Sequence, residues 1–155
     1  MDEFLRMFVP EELSMKIRDV MTPNPRTVSP NDTVQSAAQV MRTEDTGVVP
    51  VVENGRVLAM VTDRDIVVRV VAEGGTFTGP VSAIASMEVV TASPDMSTKE
   101  AEELMGERQI RRLPVVENDR LVGIVSLGDL AVKSGHDDRV GETLEQISAG
   151  VKEHI

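Results

Sequence analysis

The feature that most restricts the fold of this chain is an internal repeat: residues 18–71 align with residues 82–135 at a constant offset of 64, without a gap. The strongest match is PVVENGR at 50–56 against PVVENDR at 114–120. Two copies of about 55 residues are each too small to bury their apolar faces well alone. We therefore expect the two repeats to pack on each other as one pseudo-symmetric body.

Each repeat has the same predicted order of elements: a short extended lead-in, a helix, a hairpin and a second helix, which makes the fold class α/β (α+β). Asn54-Gly55 between two β-branched runs is a strong hairpin signal, and the second hairpin is expected to turn at Asn118-Asp119. The second helix of the first repeat is predicted to begin near Thr62 or Asp63. Its apolar residues are predicted to lie on one face; they are Ile66, Val67, Val70 and Val71.

These patterns divide the chain into five segments. They are an N-terminal extension at 1–17, the first repeat at 18–73, a Gly-rich linker at 74–80, the second repeat at 81–135 and a tail at 136–155. In the tail, apolar residues at helical spacing predict an amphipathic helix; they are Val140, Leu144, Ile147 and Val151. This helix covers either the repeat core or an identical neighbour, and both roles are open.

The composition excludes several classes of function. With 26 acidic and 16 basic residues the net charge is −10, which opposes association with nucleic acid or an anionic membrane. The absence of cysteine excludes disulfides, thiolate zinc sites and thiol nucleophiles. The chain has no phosphate-loop or nucleophile-elbow motif and no apolar run near the roughly 20 residues of a membrane span. We expect a cytoplasmic protein without catalytic residues, a metal site or a required cofactor.

The residues best suited to chemistry lie where the second hairpin strand meets the following helix. Thr62 is followed three positions later by Asp65, and Ser126 by Asp129. This spacing is typical of a helix N-cap, and on spacing alone that interpretation is favoured. The alternative is a ligand site in which the helix start receives a phosphate. The hydroxyl would then donate to a phosphate oxygen, and the aspartate would accept from sugar hydroxyls.

Together, several motifs resemble a tandem pair of cystathionine β-synthase (CBS) domains over residues 16–135. They are the two-fold repeat, the opening RDVMTP at 18–23, the Pro-Val-Val hairpins and the Thr/Ser-x-x-Asp at each junction. The resemblance, closest to stand-alone prokaryotic CBS proteins, implies two units packed sheet to sheet with pseudo-two-fold symmetry. It also implies clefts that bind AMP, ADP, ATP, S-adenosylmethionine or related adenosyl ligands, and a dimer of such modules.

Carried over position by position, the resemblance implies a set of nucleotide-binding residues in each repeat. For the first repeat they are Thr62, Asp65, Arg64, Thr27, Val28, Gly47, Val48 and Pro50. For the second repeat they are Ser126, Asp129, Thr91, Ala92, Arg111, Arg112, Leu113 and Pro114. The hydroxyls and aspartates would hold phosphate and ribose, and the other segments would line the base pockets. Mg²⁺ would accompany a polyphosphate ligand.

The two predicted sites are not equivalent. Arg64 lies beside the first aspartate and could pair with a phosphate, whereas the second repeat has Gly128 there. The second repeat instead carries Arg108, Arg111 and Arg112 before its hairpin. These arginines either bind a polyphosphate or are solvated or paired with nearby glutamates, and both interpretations are open.

Three functions follow from these expectations. The leading one is a non-enzymatic sensor, for example of energy state, that binds an adenosyl ligand and signals in trans through a homodimer and an unknown protein partner. The second is an interaction scaffold whose clefts are vestigial. The third, a small nucleotide-acting enzyme, has the least support because no pair of carboxylates is marked as a catalytic dyad.

Overall fold

The computed structural model describes residues 15–134 and 137–153, which form a mixed helix and strand fold. The helices in chain order are α1 (Ile17–Val20), α2 (Val34–Glu44), α3 (Asp63–Ile66), α4 (Thr98–Arg108), α5 (Leu127–Ser134) and α6 (Asp137–Glu153). Helix α3 continues directly into a π-helical turn at Val67–Val71, and Val81–Ala83 forms a 3₁₀ turn. Among the described residues, no helix has the length and apolar character needed to cross a membrane.

Two hairpins form at the predicted positions. Strand β2 (Val48–Glu53) pairs with β3 (Arg56–Thr62), β4 (Arg112–Glu117) pairs with β5 (Arg120–Ser126), and the short β1 (Thr22–Pro23) lies beside β5. Both turns place two residues at positive φ. The angles are 53° at Asn54 and 82° at Gly55 in the first turn. They are 52° at Asn118 and 63° at Asp119 in the second. Positive φ at both central residues is the turn geometry that matches the twist of paired strands.

The described residues divide into two compact units. The first-repeat unit contains Pro23–Thr91 and the hairpin tip Val116–Val122, and the second-repeat unit contains residues 15–22, Ala92–Val115 and residues from Gly123 onward. Each unit therefore includes the opening segment of the other repeat. The sequence repeat does not coincide with the structural unit, and this exchange was not predicted.

The exchanged opening segments are attached by the same hydrogen bonds in both units. In the second-repeat unit, the N–H of Ile17 donates to the carbonyl of Met96 at 2.9 Å. In the first-repeat unit, the N–H of Val81 donates to the carbonyl of Asp32 at 2.7 Å. Donors and acceptors are both related by the offset of 64, so the repeat extends to long-range backbone contacts.

The predicted linker at 74–80 is also part of the packed structure. The carbonyl of Gly79 accepts from the N–H of Val34 at 3.0 Å, and the carbonyl of Phe77 accepts from the N–H of Gln35 at 3.0 Å. The first N–H groups of a helix have no partner within the helix. The linker supplies two of these partners and thereby fixes the start of α2.

The core of the first-repeat unit is aliphatic, as expected, but only part of the predicted apolar face of its second helix packs against that core. Val70 is buried and Ile66 packs against the core, whereas Val67 and Val71 are 57% and 67% exposed. The N–H of Ala72 bonds to the carbonyl of Val67, five residues earlier. This wider π-helical turn shifts the side chains away from the positions that an α-helical period predicts.

The predicted tail helix is α6, and it packs on α4 within the second-repeat unit. Ile147 is buried, and the hydroxyl of Thr143 donates to the carbonyl of Glu102 at 3.3 Å. A Cβ added at Gly106 would overlap the side chain of Gln146, so the glycine permits the close approach of the two helices. Of the two open roles, covering its own unit is the one that these contacts support.

The apolar face of α6 departs from the prediction at one residue. Leu144 is 42% exposed although its spacing places it with Ile147, and Val140 is half-buried. Between Val140 and Ile147, the buried residue is Thr143, whose hydroxyl donates a hydrogen bond to a backbone carbonyl. The side chain of Val151 and the residues of the N-terminal extension before Met15 lie outside the described part of the chain.

Candidate ligand-binding junctions

The two strand-to-helix junctions have the same geometry. Thr62 Oγ1 accepts from the N–H of Asp65 at 3.1 Å, and Asp65 Oδ2 accepts from the N–H of Thr62 at 2.9 Å. Ser126 Oγ accepts from the N–H of Asp129 at 3.0 Å, and Asp129 Oδ2 accepts from the N–H of Ser126 at 3.1 Å. Both junctions are complete capping boxes, which confirms the N-cap interpretation. The ligand interpretation stays a prediction.

The capping boxes use only one oxygen of each aspartate. Among the described residues, no group donates a hydrogen bond to Oδ1 of Asp65 or of Asp129. The nearest cation to the first is Arg69, whose Nε is 4.0 Å from Asp65 Oδ1. A carboxylate that is fixed through one oxygen can still accept hydrogen bonds through the other. The cap and the ligand role are therefore compatible in the same residue.

The start of each hairpin is hydrogen-bonded to the junction that follows it. The carbonyl of Gly47 accepts from the N–H of Asp63 at 2.9 Å, and the carbonyl of Arg111 accepts from the N–H of Leu127 at 2.8 Å. Val48 also faces the capping threonine as its cross-strand partner. The structure therefore brings the predicted hairpin residues Gly47, Val48 and Arg111 next to the predicted hydroxyl and aspartate.

Most of the predicted base-pocket residues lie in the interior of their unit. The buried ones are Val28, Val48, Pro50, Ala92, Leu113 and Pro114, whereas Thr27 and Thr91 are exposed. The lead-in is bonded to the hairpin in both units, from the N–H of Val28 to the carbonyl of Pro50 at 3.1 Å and from Ala92 to Pro114 at 2.9 Å. These residues thus hold the lead-in against the hairpin, and Thr91 falls in the residue range of the first-repeat unit.

The predicted phosphate-binding arginines are exposed. Arg64, Arg111 and Arg112 have no carboxylate ion pair within the part of the chain that the structure describes. The alternative in which neighbouring glutamates pair with the second-repeat arginines is therefore not observed. These guanidinium groups are solvated, and all three are accessible to an anionic ligand.

Two charged residues at the first junction were not singled out from the sequence. The carboxylate of Asp63 lies against Gly47, and Arg69 donates to the carbonyl of Ile84 at 2.7 Å. In the second repeat, Lys133 occupies the position of Arg69 and donates to the carbonyl of Val20 at 3.0 Å. The alignment of the repeats could have drawn attention to Asp63, because this acidic residue aligns with the apolar Leu127 of the second repeat.

Both repeats match the family model of the CBS domain, at residues 17–72 and 81–134. With the duplicated fold and junctions, this match defines the class of the protein as a CBS-domain pair. The chain belongs to the CBS domain family, and the predicted resemblance is confirmed.

Among its relatives, the chain is similar to the CBS domain-containing protein YhcV of Bacillus subtilis (strain 168), with 47% identity over 132 residues, 85% of this chain and 94% of the relative. The crystal structure of Hypoxic Response Protein I with two coordinated zinc ions has a TM-score of 0.71 and 34% identity, covering 77% of this chain and 98% of that one. A protein named Hypoxic response protein 1 in Mycobacterium tuberculosis is 36% identical over 116 residues, 74% of this chain and 81% of the relative.

The fold is also that of the CBS domain pair of protein MJ0100, solved in complex with 5′-methylthioadenosine and S-adenosyl-L-methionine. The TM-score is 0.71 at 24% identity, covering 80% of this chain and 98% of that one. At this identity the likeness shows a shared fold.

Proposed function

We propose that this chain is a non-enzymatic regulatory module that binds an adenosyl ligand at the Thr62–Asp65 and Ser126–Asp129 junctions. One observation carries the proposal: both repeats hold an aspartate through Oδ2 and leave its Oδ1 without a hydrogen bond from any described residue. A fixed, half-satisfied carboxylate is suited to accept hydrogen bonds from the two hydroxyls of a ribose.

The surroundings of the junctions favour a purine held by aliphatic groups. The chain has no Trp or Tyr, and its three Phe residues lie outside the predicted sites. The base would therefore contact aliphatic side chains and backbone groups rather than stack on a ring. A protein of the same fold holds two adenosyl compounds in its crystal structure, which supports this class of ligand over others.

The proposal leaves AMP, ADP, ATP and S-adenosylmethionine as candidate ligands. With a polyphosphate, Mg²⁺ would be held chiefly by the ligand, since the described residues contain no cluster of three or more His, Cys, Asp or Glu side chains suited to a metal. Ligand binding would change the populations of two conformations by its differential affinity for them. The module would signal in trans to a protein partner, as a cytoplasmic homodimer that senses energy state.

Calorimetry on the full chain tests the proposal. AMP, ATP and S-adenosylmethionine are titrated into the wild type and into Asp65→Ala and Asp129→Ala. Hydrogen bonds to a charged group contribute about 1.5–3 kcal/mol, so each substitution should weaken binding at its own junction about tenfold or more. Because alanine also removes a helix cap, Asp65→Asn and Asp129→Asn serve as second variants that keep an oxygen for capping.

Asp32→Ala is the matched control, because Asp32 Oδ2 accepts from the N–H of Ser29 at 2.8 Å, also three residues away. It removes a similar local bond outside the junctions and should leave binding unchanged. The absence of saturable binding by every adenosyl compound would contradict the proposal. A simple preliminary test uses the lack of Trp and Tyr, because a co-purified adenine nucleotide would dominate the ultraviolet spectrum of the protein.

A further inference from the structure

The two junctions share their backbone geometry but differ in the charges around it. At six matched positions, the first repeat has Glu44, Asp45, Gly47, Val48, Asp63 and Arg64. At the same positions, the second repeat has Arg108, Gln109, Arg111, Arg112, Leu127 and Gly128. These positions therefore carry three acids and one base in the first repeat, and three bases without an acid in the second. Glu44 is partly neutralised by Arg26 at 3.7 Å.

Asp63 is the acid with a fixed position at the first junction. Its Oδ1 accepts from the N–H of Arg64 at 2.8 Å, and its Oδ2 would be 2.9 Å from a Cβ placed on Gly47. The carboxylate therefore covers the glycine at the hairpin start and occupies a backbone N–H of the helix beginning. A phosphate at this place would have to displace the carboxylate or lie beside its negative charge.

The second junction has neither obstacle. The residue at the position of Asp63 is Leu127, which is 5% exposed and packs in the core. The residue at the position of Gly47 is Arg111, and both Arg111 and Arg112 are exposed and unpaired within the described residues. Guanidinium groups at the hairpin start attract a phosphate and can bind it through two parallel hydrogen bonds.

We propose that Asp63 is a specificity residue that makes the first-repeat junction select against a 5′-phosphate, so that the two junctions sort adenosyl ligands by charge. This rests on the proposed function, in which each junction binds an adenosyl group. The first-repeat junction takes an adenosine with an uncharged or cationic 5′ substituent, such as a thioether or a sulfonium. The second-repeat junction takes a 5′-phosphorylated adenosine. The exposed Arg64 does not reverse this order, because the Asp63 carboxylate, although also exposed, is held at the hairpin start by the Arg64 N–H, whereas no carboxylate among the described residues holds the Arg64 guanidinium.

Adenosine and AMP test this inference, because they differ only by the 5′-phosphate. Each is titrated into the full chain carrying Asp129→Ala, or Asp129→Asn as the capping-competent version, which weakens the second-repeat junction, and the change caused by Asp63→Asn identifies binding at the first-repeat junction. AMP should bind this protein no more tightly than adenosine does. Adding Asp63→Asn, which keeps an oxygen for the Arg64 N–H, should tighten AMP binding about tenfold and leave adenosine within about twofold.

Two further arms complete the comparison. Asp32→Asn removes the same charge elsewhere in the first-repeat unit and should not alter the ratio of AMP to adenosine affinity. With Asp65→Ala or Asp65→Asn, which weakens the first-repeat junction, the second-repeat junction should dominate binding and favour AMP about tenfold. Arg111→Gln should reduce that preference.

The outcomes separate the inference from the proposed function. Binding of adenosyl compounds with AMP favoured at the first-repeat junction, or with no effect of Asp63→Asn, would overturn the inference and uphold the function. Binding at the second-repeat junction alone would overturn the inference and restrict the proposed function to that junction. Failure of every adenosyl compound to bind the wild type would overturn both.

Discussion

The two repeats keep the same backbone bonds and vary the side chains around them. Capping boxes, positive-φ turns and the attachment of the exchanged opening segments all recur at the offset of 64. Three side-chain features differ between the repeats. A core position of the second helix holds Ile66 in the first repeat and Leu130 in the second, and the second turn residue is Gly55 in the first and Asp119 in the second. The third is the Arg18–Asp95 ion pair, which has no equivalent in the first-repeat unit. The comparison shows that local and long-range hydrogen bonds of the backbone both define the repeat, whereas side chains give each unit its own packing and charge.

The largest difference in stability between the two repeats should come from substitutions in their cores. Leu130 is fully buried whereas Ile66 only packs against the edge of its core, so Leu130→Ala should lower the free energy of unfolding by about 2–5 kcal/mol. Ile66→Ala should lower it by less, about 1–2 kcal/mol. Urea unfolding followed by circular dichroism measures both.

Val132→Ala is the matched control, because Val132 lies on the same helix as Leu130 and is 84% exposed. Its effect should stay within about 0.5 kcal/mol. If Leu130→Ala and Ile66→Ala lowered the free energy of unfolding equally, the two positions would be equivalent, and the proposed difference between the two cores would be contradicted.

The parts of the fold that depend on near neighbours could be predicted from the sequence. Asn54-Gly55 predicted its turn because few residues adopt positive φ easily. Thr62 and Asp65 predicted a cap because both bonds of the box form within three residues. The hairpin residues next to each junction were named only from the resemblance to CBS domains, and Gly47 and Arg111 are bonded to the residues that follow the capping hydroxyls.

The parts that depend on distant contacts could not be predicted in this way. No local pattern assigns Ile17 to the unit of the second repeat, because its partner Met96 is far along the chain. Val67 and Val71 are exposed, and the helix ends there in a π-helical turn that apolar spacing does not encode. The position of Asp63 over Gly47 depends on the side-chain conformation, and the sequence indicates only that the residue is charged.

Substitutions in the two turns should change the free energy of unfolding by an intermediate amount, with opposite signs in the two repeats. Gly55 has φ of 82° and Asp119 has φ of 63°, and a non-glycine residue in this region loses about 1–2 kcal/mol. Gly55→Ala should therefore destabilise the protein by about that amount, and Asp119→Gly should stabilise it by up to about 1 kcal/mol. Loss of the exposed Arg56–Asp119 pair, at 3.9 Å, should matter little.

Thermal unfolding of both turn variants measures these effects. Gly79→Ala is the control, since a Cβ there meets no atom within 4 Å and its φ is not positive. It should leave the melting temperature nearly unchanged or raise it slightly. A destabilising Asp119→Gly would show that the second turn depends on its side chain and not on its backbone conformation.

The smallest effect should come from an ion pair that only the second-repeat unit has. Arg18 Nη2 lies 2.7 Å from Asp95 Oδ1, and the equivalent first-repeat positions hold Ser82 and Asn31. The hydrogen bond from Arg18, followed by its charge, lowers the pKa of Asp95 below its usual value of 3.8. Because the folded-state pKa is depressed, the added stability is present above the unfolded-state value and is lost as the pH falls through the folded-state value.

Asp95→Asn gives the second repeat the residue of the first and tests this pair. The urea midpoint of the variant should fall slightly below that of the wild type near neutral pH, and the two should converge as the pH drops below 3.8, the usual pKa of the group. Both side chains are exposed, so added salt should also shrink the difference. A difference in urea midpoint that persisted in acid would mean that Asp95 acts through its shape rather than its charge. The ion pair would then no longer distinguish the two units.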